Sequence, residues 1–213
     1  PDKDHLPNFW IYVDQSHNGE IRFFAPGHNL GRWWDAMLRL EDATAFDIPP
    51  DIEEAMLRNL KRFFDNPDHL CLLPLDMPRV EGELLDFHSL REGLLALTAL
   101  IKYRDDAWAR EKASSMLNSI ERILLPDENW QRDPGAGIWD VEKTHRYVDA
   151  GSPERQSAWA LSAIVSHGRL LEALIEYFKV THDTFAIKLA EPIARFHLAE
   201  TTRPDGHYRA RWS

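Results

Sequence analysis

The sequence predicts an all-α protein built from stacked helical hairpins, and three observations carry that prediction. Apolar residues recur with helical spacing from residue 30 onward. The links between the resulting helices alternate between short and long. A phrase also repeats: Ala99-Leu-Ile-Lys-Tyr103 returns as Ala173-Leu-Ile-Glu-Tyr177. Trp108-Ala109 and Ala113 follow the first copy, and Phe185-Ala186 and Ala190 follow the second. Repeated hairpins stack side by side because no single one buries its apolar face.

The segment before residue 30 differs in character. Phe9-Trp-Ile-Tyr-Val13 and Ile21-Arg-Phe-Phe24 are rich in β-branched and aromatic residues, with Asn18-Gly19 between them. That pattern predicts a short β-hairpin within an N-terminal segment over residues 1–29.

Six helices follow. The first spans about Leu30–Thr44, with Trp33, Trp34, Met37 and Leu38 apolar. The second starts at Pro50, a residue suited to the first helical position, and runs to about Asp65. The third is Phe87–Tyr103, with Asp86 placed to cap it. The fourth covers about Asp106–Leu125. The fifth opens at Ser152-Pro-Glu154, a cap, a proline and a first-turn acid, and runs to about Val180. The sixth is about Thr184–Thr201 and contains Pro192, which can bend it.

Helices one and two, three and four, and five and six are joined by a few residues each, so each pair forms an antiparallel hairpin. Long links near 66–85 and 126–151 collect at the end where helices one, three and five begin. The third and fifth helices are apolar nearly all round and suit an inner layer. The second, fourth and sixth keep a polar face and suit an outer one. Residues 1–213 read as one domain.

Composition narrows the function classes. A formal net charge of −10 argues against a nucleic-acid partner, which requires clustered Lys and Arg. No apolar run reaches the roughly 20 residues that span a bilayer, so no membrane segment is expected. Cys71 is the lone cysteine, so the chain has no internal disulfide and no multi-cysteine zinc site. The histidines show no metal-ligand spacing, and neither metal nor cofactor is expected. The chain opens on Pro1 without a signal peptide, which fits a processed or trimmed piece and leaves its compartment open. The 8 Trp suit core packing and, alternatively, sugar-stacking surfaces.

Phrases such as Leu90-Arg-Glu-Gly-Leu-Leu-Ala-Leu-Thr-Ala-Leu-Ile-Lys-Tyr103, set in this hairpin pattern, resemble the six-hairpin glycosidases over residues 30–202. The resemblance implies an (α/α)₆ toroid of which three hairpins are present here, and a groove at the loop-rich end. Unsaturated glucuronyl hydrolases and β-glucuronidases share that architecture, as do polysaccharide lyases and sugar epimerases. The implied partner is an oligosaccharide.

Candidate site residues come from the charged and aromatic groups expected at that end. His88, Arg91 and Glu92 share one face of the third helix at positions i, i+3 and i+4, just after Asp86. Asp86 or Glu92 is a candidate general acid or base, although Asp86 also has a plain role as a cap. Arg91 suits a uronate carboxylate because its fork pairs bidentately. A second cluster is Trp139, Asp140, Glu142, His145, Arg146 and Tyr147, followed by Arg155 and Trp159 at the start of the fifth helix. A third is His28, Arg32 and Asp35, beside Trp33 and Trp34, which fit core packing better than a sugar platform. His207 follows the sixth helix.

Glycoside hydrolysis needs two carboxylates, drawn here from Asp86, Asp140 and Glu142, with Asp35 in reserve. A lyase would instead use His88, His145 or Tyr147 as base. A non-catalytic helical repeat that binds a partner in its groove is the third reading.

Overall fold

The computed structural model describes residues 10–13, 19–22, 29–72, 87–123, 139–140, 146–147, 167–198 and 204–207. Six helices form the body: α1 (Leu30–Ala43), α2 (Pro50–Phe63), α3 (Phe87–Arg104), α4 (Ala107–Ile123), α5 (His167–Thr181) and α6 (Thr184–Phe196). The first four stand where periodicity expects them, with ends shifted by a few residues, and the last two lie within their expected spans or a residue beyond. The expected start of the fifth helix at Ser152 lies outside the described residues. Two short antiparallel backbone pairings accompany the helices. Trp10–Val13 runs against Gly19–Arg22, and Trp139–Asp140 against Arg146–Tyr147.

Local chemistry explains several boundaries. Pro50 opens α2, Asp51 and Glu53 occupy its first turn, and Lys61 and Arg62 its last, matching the helix dipole at both ends. After α2, the Asn66 side chain ties the chain into a turn. Its amide donates to the carbonyls of Phe63 (3.2 Å) and Leu70 (2.8 Å), and its oxygen accepts from the Asp68 and Leu70 amides.

The two tight hairpins end their first helix in the same way. Asp105 and His182 both adopt left-handed backbone, with φ of 50° and 59°. That conformation turns the chain out of the helix. An aspartate then starts the next helix: Asp106 Oδ1 accepts from Ala109 N at 2.7 Å, and Asp183 Oδ1 from Phe185 N at 2.9 Å.

α3 is the centre of the body. It packs on α1 on one side, α5 on the other and α4 behind, while α6 packs on α5 and touches α4. α1 and α3 run parallel. Gly31 and Arg32 at the start of α1 meet Glu92 and Leu95 early in α3, and Glu41 near the end of α1 meets Arg104 at the end of α3. The core is aliphatic and aromatic: Leu30, Trp34 and Leu38 of α1, Met56, Leu60 and Phe63 of α2, and Leu90, Leu94 and Leu97 of α3 are buried. Each such side chain contributes about 1.5–3 kcal/mol by leaving water.

Opposite faces of α3 do different work. Arg91, Leu95, Thr98 and Lys102 form one stripe at helical spacing. Gly93 lies on the far side, against Phe64 and Cys71. A Cβ on Gly93 would stand 2.4 Å from Cys71 Cβ and 3.0 Å from Phe64 Cζ, so glycine is what lets this segment press on α3.

Candidate functional site

Glu92 lies in the second turn of α3 and is completely buried. A carboxylate without water needs donors from the protein. The first set comes from α1. Asn29 precedes that helix but makes no side-chain capping bond. Instead the amide of Arg32 donates to Glu92 Oε2 at 3.1 Å, and the Gly31 amide bonds to the same carboxylate. Glu92 thus caps α1 from another helix, at the end where the dipole favours an anion.

The second set is guanidinium. Arg91 Nη1 donates to Glu92 Oε1 at 2.5 Å, and Arg32 Nε stands 3.4 Å from the same oxygen. His88 Nε2 is 3.9 Å away. Burial pushes the Glu92 carboxyl above its ordinary value, and the amides and arginines pull against it.

Arg91 carries the network onward. Its Nε and Nη2 both reach Glu172 Oε2 on α5, at 2.7 and 2.5 Å. One buried arginine therefore joins an enclosed carboxylate to an exposed one. Gly31 makes the arrangement possible, since a Cβ there would sit 2.3 Å from the Glu92 carbonyl oxygen.

Above this network runs a groove of about 580 Å³ between α1, α3 and α5. Arg32, Asp35 and Arg39 line its α1 wall, Arg91 and Lys102 its floor, and Glu172 and Glu176 its α5 wall. Most of these charges are paired. Arg39 Nη2 bonds Asp35 at 2.6 Å, and Lys179 bonds Glu176 at 2.7 Å. Lys102 differs: its ammonium donates to Tyr103 Oη at 2.9 Å and makes no ion pair among the described residues.

The expected site residues fall into three groups. Arg32, His88 and Arg91 come together around Glu92. His88 and Arg91 are buried rather than exposed at a rim, because α1 and α5 close over the start of α3. Trp139, Asp140 and Arg146 belong to the second strand pair, where Asp140 is the register partner of Arg146 and Trp139 that of Tyr147. His207 is exposed in a turn in which its amide donates to Asp205 Oδ1 at 3.1 Å. Asp86, Glu142, His28, His145, Arg155 and Trp159 lie outside the described residues. Trp34 is fully buried and packs edge-on against Trp33, as expected of core residues. No group of His, Cys, Asp and Glu able to hold a metal occurs among the described residues, nor does a helix long and apolar enough to cross a membrane.

Sequence reasoning missed Glu172 and Glu176. The signal was present: two acids four residues apart in the otherwise apolar run Leu170-Leu-Glu-Ala-Leu-Ile-Glu-Tyr177. On an inner helix, that spacing marks a polar stripe facing something other than the core.

No protein-family model, curated protein or solved structure matches this chain.

Proposed function

We propose that the chain is a carbohydrate-active enzyme of the (α/α) toroid class, contributing three of six hairpins, and that it hydrolyses a uronate-containing oligosaccharide. The observation that supports this is the groove over α3, which combines arginine and lysine with three carboxylates. Neutral sugars need hydrogen-bonding polar groups. A uronate adds a carboxylate, for which Arg32 and Lys102 are suitable partners. The parallel course of α1 and α3 agrees with an inner wall of repeated hairpins.

In this reading Lys102 and the exposed edge of Arg32 hold the uronate. Glu92 and Arg91 keep the groove floor rigid and are positioning residues. The chemistry falls to carboxylates that reach solvent. One carboxylic acid protonates the leaving oxygen, and a second carboxylate attacks the anomeric carbon or activates water. Asp86, Asp140 and Glu142 remain the proposed pair or trio from the loop-rich end, where α1 and α3 begin. Asp35 and Glu172 join them as groove candidates. The N-terminal strand pair would cover one mouth of the ring.

Mass spectrometry of products tests this, using the intact chain and a panel of uronate-bearing and neutral oligosaccharides. Products that together contain one added water support hydrolysis, and Asp35→Asn, Asp140→Asn and Glu172→Gln then assign the carboxylates. Cleavage without water, leaving an unsaturated end, would replace the hydrolase with a lyase. No product and no sugar binding would overturn the carbohydrate reading.

A further inference from the structure

A second concave site lies on the other side of the body, between α2 and α4. It has a volume of about 290 Å³ and is lined by Arg58, Lys61, Arg62, Lys112, Trp108 and Asp65, with Phe64 at its base. Four cations face one carboxylate in a chain whose formal net charge is −10.

Neighbours hold three of these cations in place. The Lys61 ammonium sits 5.2 Å over the Trp108 ring, and that ring meets Phe64 edge-on at 6.1 Å. Lys112 Nζ lies 3.0 Å from His69 Nδ1. Arg62 Nη1 donates to Asn59 Oδ1 at 3.3 Å. No salt bridge is made by Arg58, Lys61 or Lys112 among the described residues.

The dipole of α2 accounts for Lys61 and Arg62, which stand in its last turn. It does not account for Lys112. That residue belongs to α4, beyond the reach of the α2 dipole.

We propose that this pocket binds a dianionic phosphoryl group carried by a small organic molecule. Arg58, Lys61 and Lys112 alone, against one carboxylate, leave an excess that a monocarboxylate would only partly neutralise. Arginine and lysine suit the oxygens of a phosphoryl group. A free phosphate ion would fill only part of the cavity, so a compact organic body attached to it is accommodated as well. The site is separate from the groove over α3, with which it shares no lining residue.

Isothermal titration of the full chain with inorganic phosphate, glucose 6-phosphate and glucuronate tests this. Saturable binding of both phosphates is expected, with the sugar phosphate tighter and glucuronate at least about tenfold weaker at this site. Arg58→Gln combined with Lys112→Gln should weaken phosphate binding by about tenfold or more. Both side chains reach solvent, and circular dichroism checks that the variant is folded. Asp35→Asn, in the groove, should leave phosphate binding unchanged and so separates the two sites. Equal binding of free phosphate and the sugar phosphate would reduce the ligand to the bare ion and overturn the organic-ester part. No saturable binding, or binding indifferent to the double substitution, would overturn the site.

Discussion

The backbone amide of Arg32 donates to the side chain of Glu92 across sixty residues of sequence. The first helix is therefore capped by the third. That one contact ties the local stability of α1 to the tertiary fold, and it places a carboxylate where water does not reach. The outcome of that burial is measurable.

Burial raises the Glu92 carboxyl in the folded state above the 4.5 of an unperturbed glutamate. Above pH 4.5 the folded chain thus holds more protons at this site than the unfolded chain. Its contribution to stability is fully present below that value and is lost as pH rises through the folded value. Gln cannot ionise and keeps an acceptor for the α1 amides. Urea unfolding across pH 4–7 should show the native chain losing stability relative to Glu92→Gln as pH rises. A gap moving the other way would mean that Arg32 and Arg91 outweigh burial.

Arg91 is the only described side chain that bonds both Glu92 and Glu172. Arg91→Met should cost about 3 kcal/mol, because it leaves a buried carboxylate short of its partner. Glu172→Gln removes an exposed acceptor and should cost less than about 1 kcal/mol. Chemical denaturation of the two variants checks the ratio. Equal losses would show that the α5 bond carries as much as the buried one.

Gly93→Ala should destabilise by about 1–3 kcal/mol, since the new methyl group overlaps Cys71. Cys71→Gly removes both overlapping atoms. The double variant should therefore be more stable than the sum of the two single losses implies. Strict additivity in a double-mutant cycle would contradict the contact.

Arg104 closes the opposite end of the layer, binding Glu41 of α1 and Glu53 of α2. The Ile48 amide first, and Arg104 second, hold the Glu41 carboxyl below its usual 4.5. This contribution is present above pH 4.5 and fades as pH falls through the lower folded value. Glu41→Gln should lower the melting temperature at pH 7 and change it little at pH 3. Matching shifts at both pH values would remove the ionic explanation.

Much of the helical framework was legible because it is written locally. The apolar stripe of Leu30, Trp34 and Leu38 and the proline at position 50 act within a few residues of themselves. The two-residue links did the same for the α3–α4 and α5–α6 hairpins. What periodicity does not carry is which helix faces which. Arg91 meets Glu172 across 81 residues, and nothing near either residue announces the other. The charged start of α3 read as a solvent-facing rim because charge usually means exposure. Gly31 reverses this by letting α1 come close enough to donate its amides. Its meaning appears only once α3 lies against it.

The two tight turns at Asp105 and His182 bear on how the chain assembles. The α3–α4 and α5–α6 hairpins need only two residues to reverse direction, so their closure costs little chain entropy and comes early. The start of α1 has no such shortcut and waits for Glu92 to arrive from far along the chain. Pulse-labelled hydrogen exchange during refolding should protect the amides of α3 and α4 before those of Gly31 and Arg32. The fold would then grow outward from α3, with the first helix written among the last to settle.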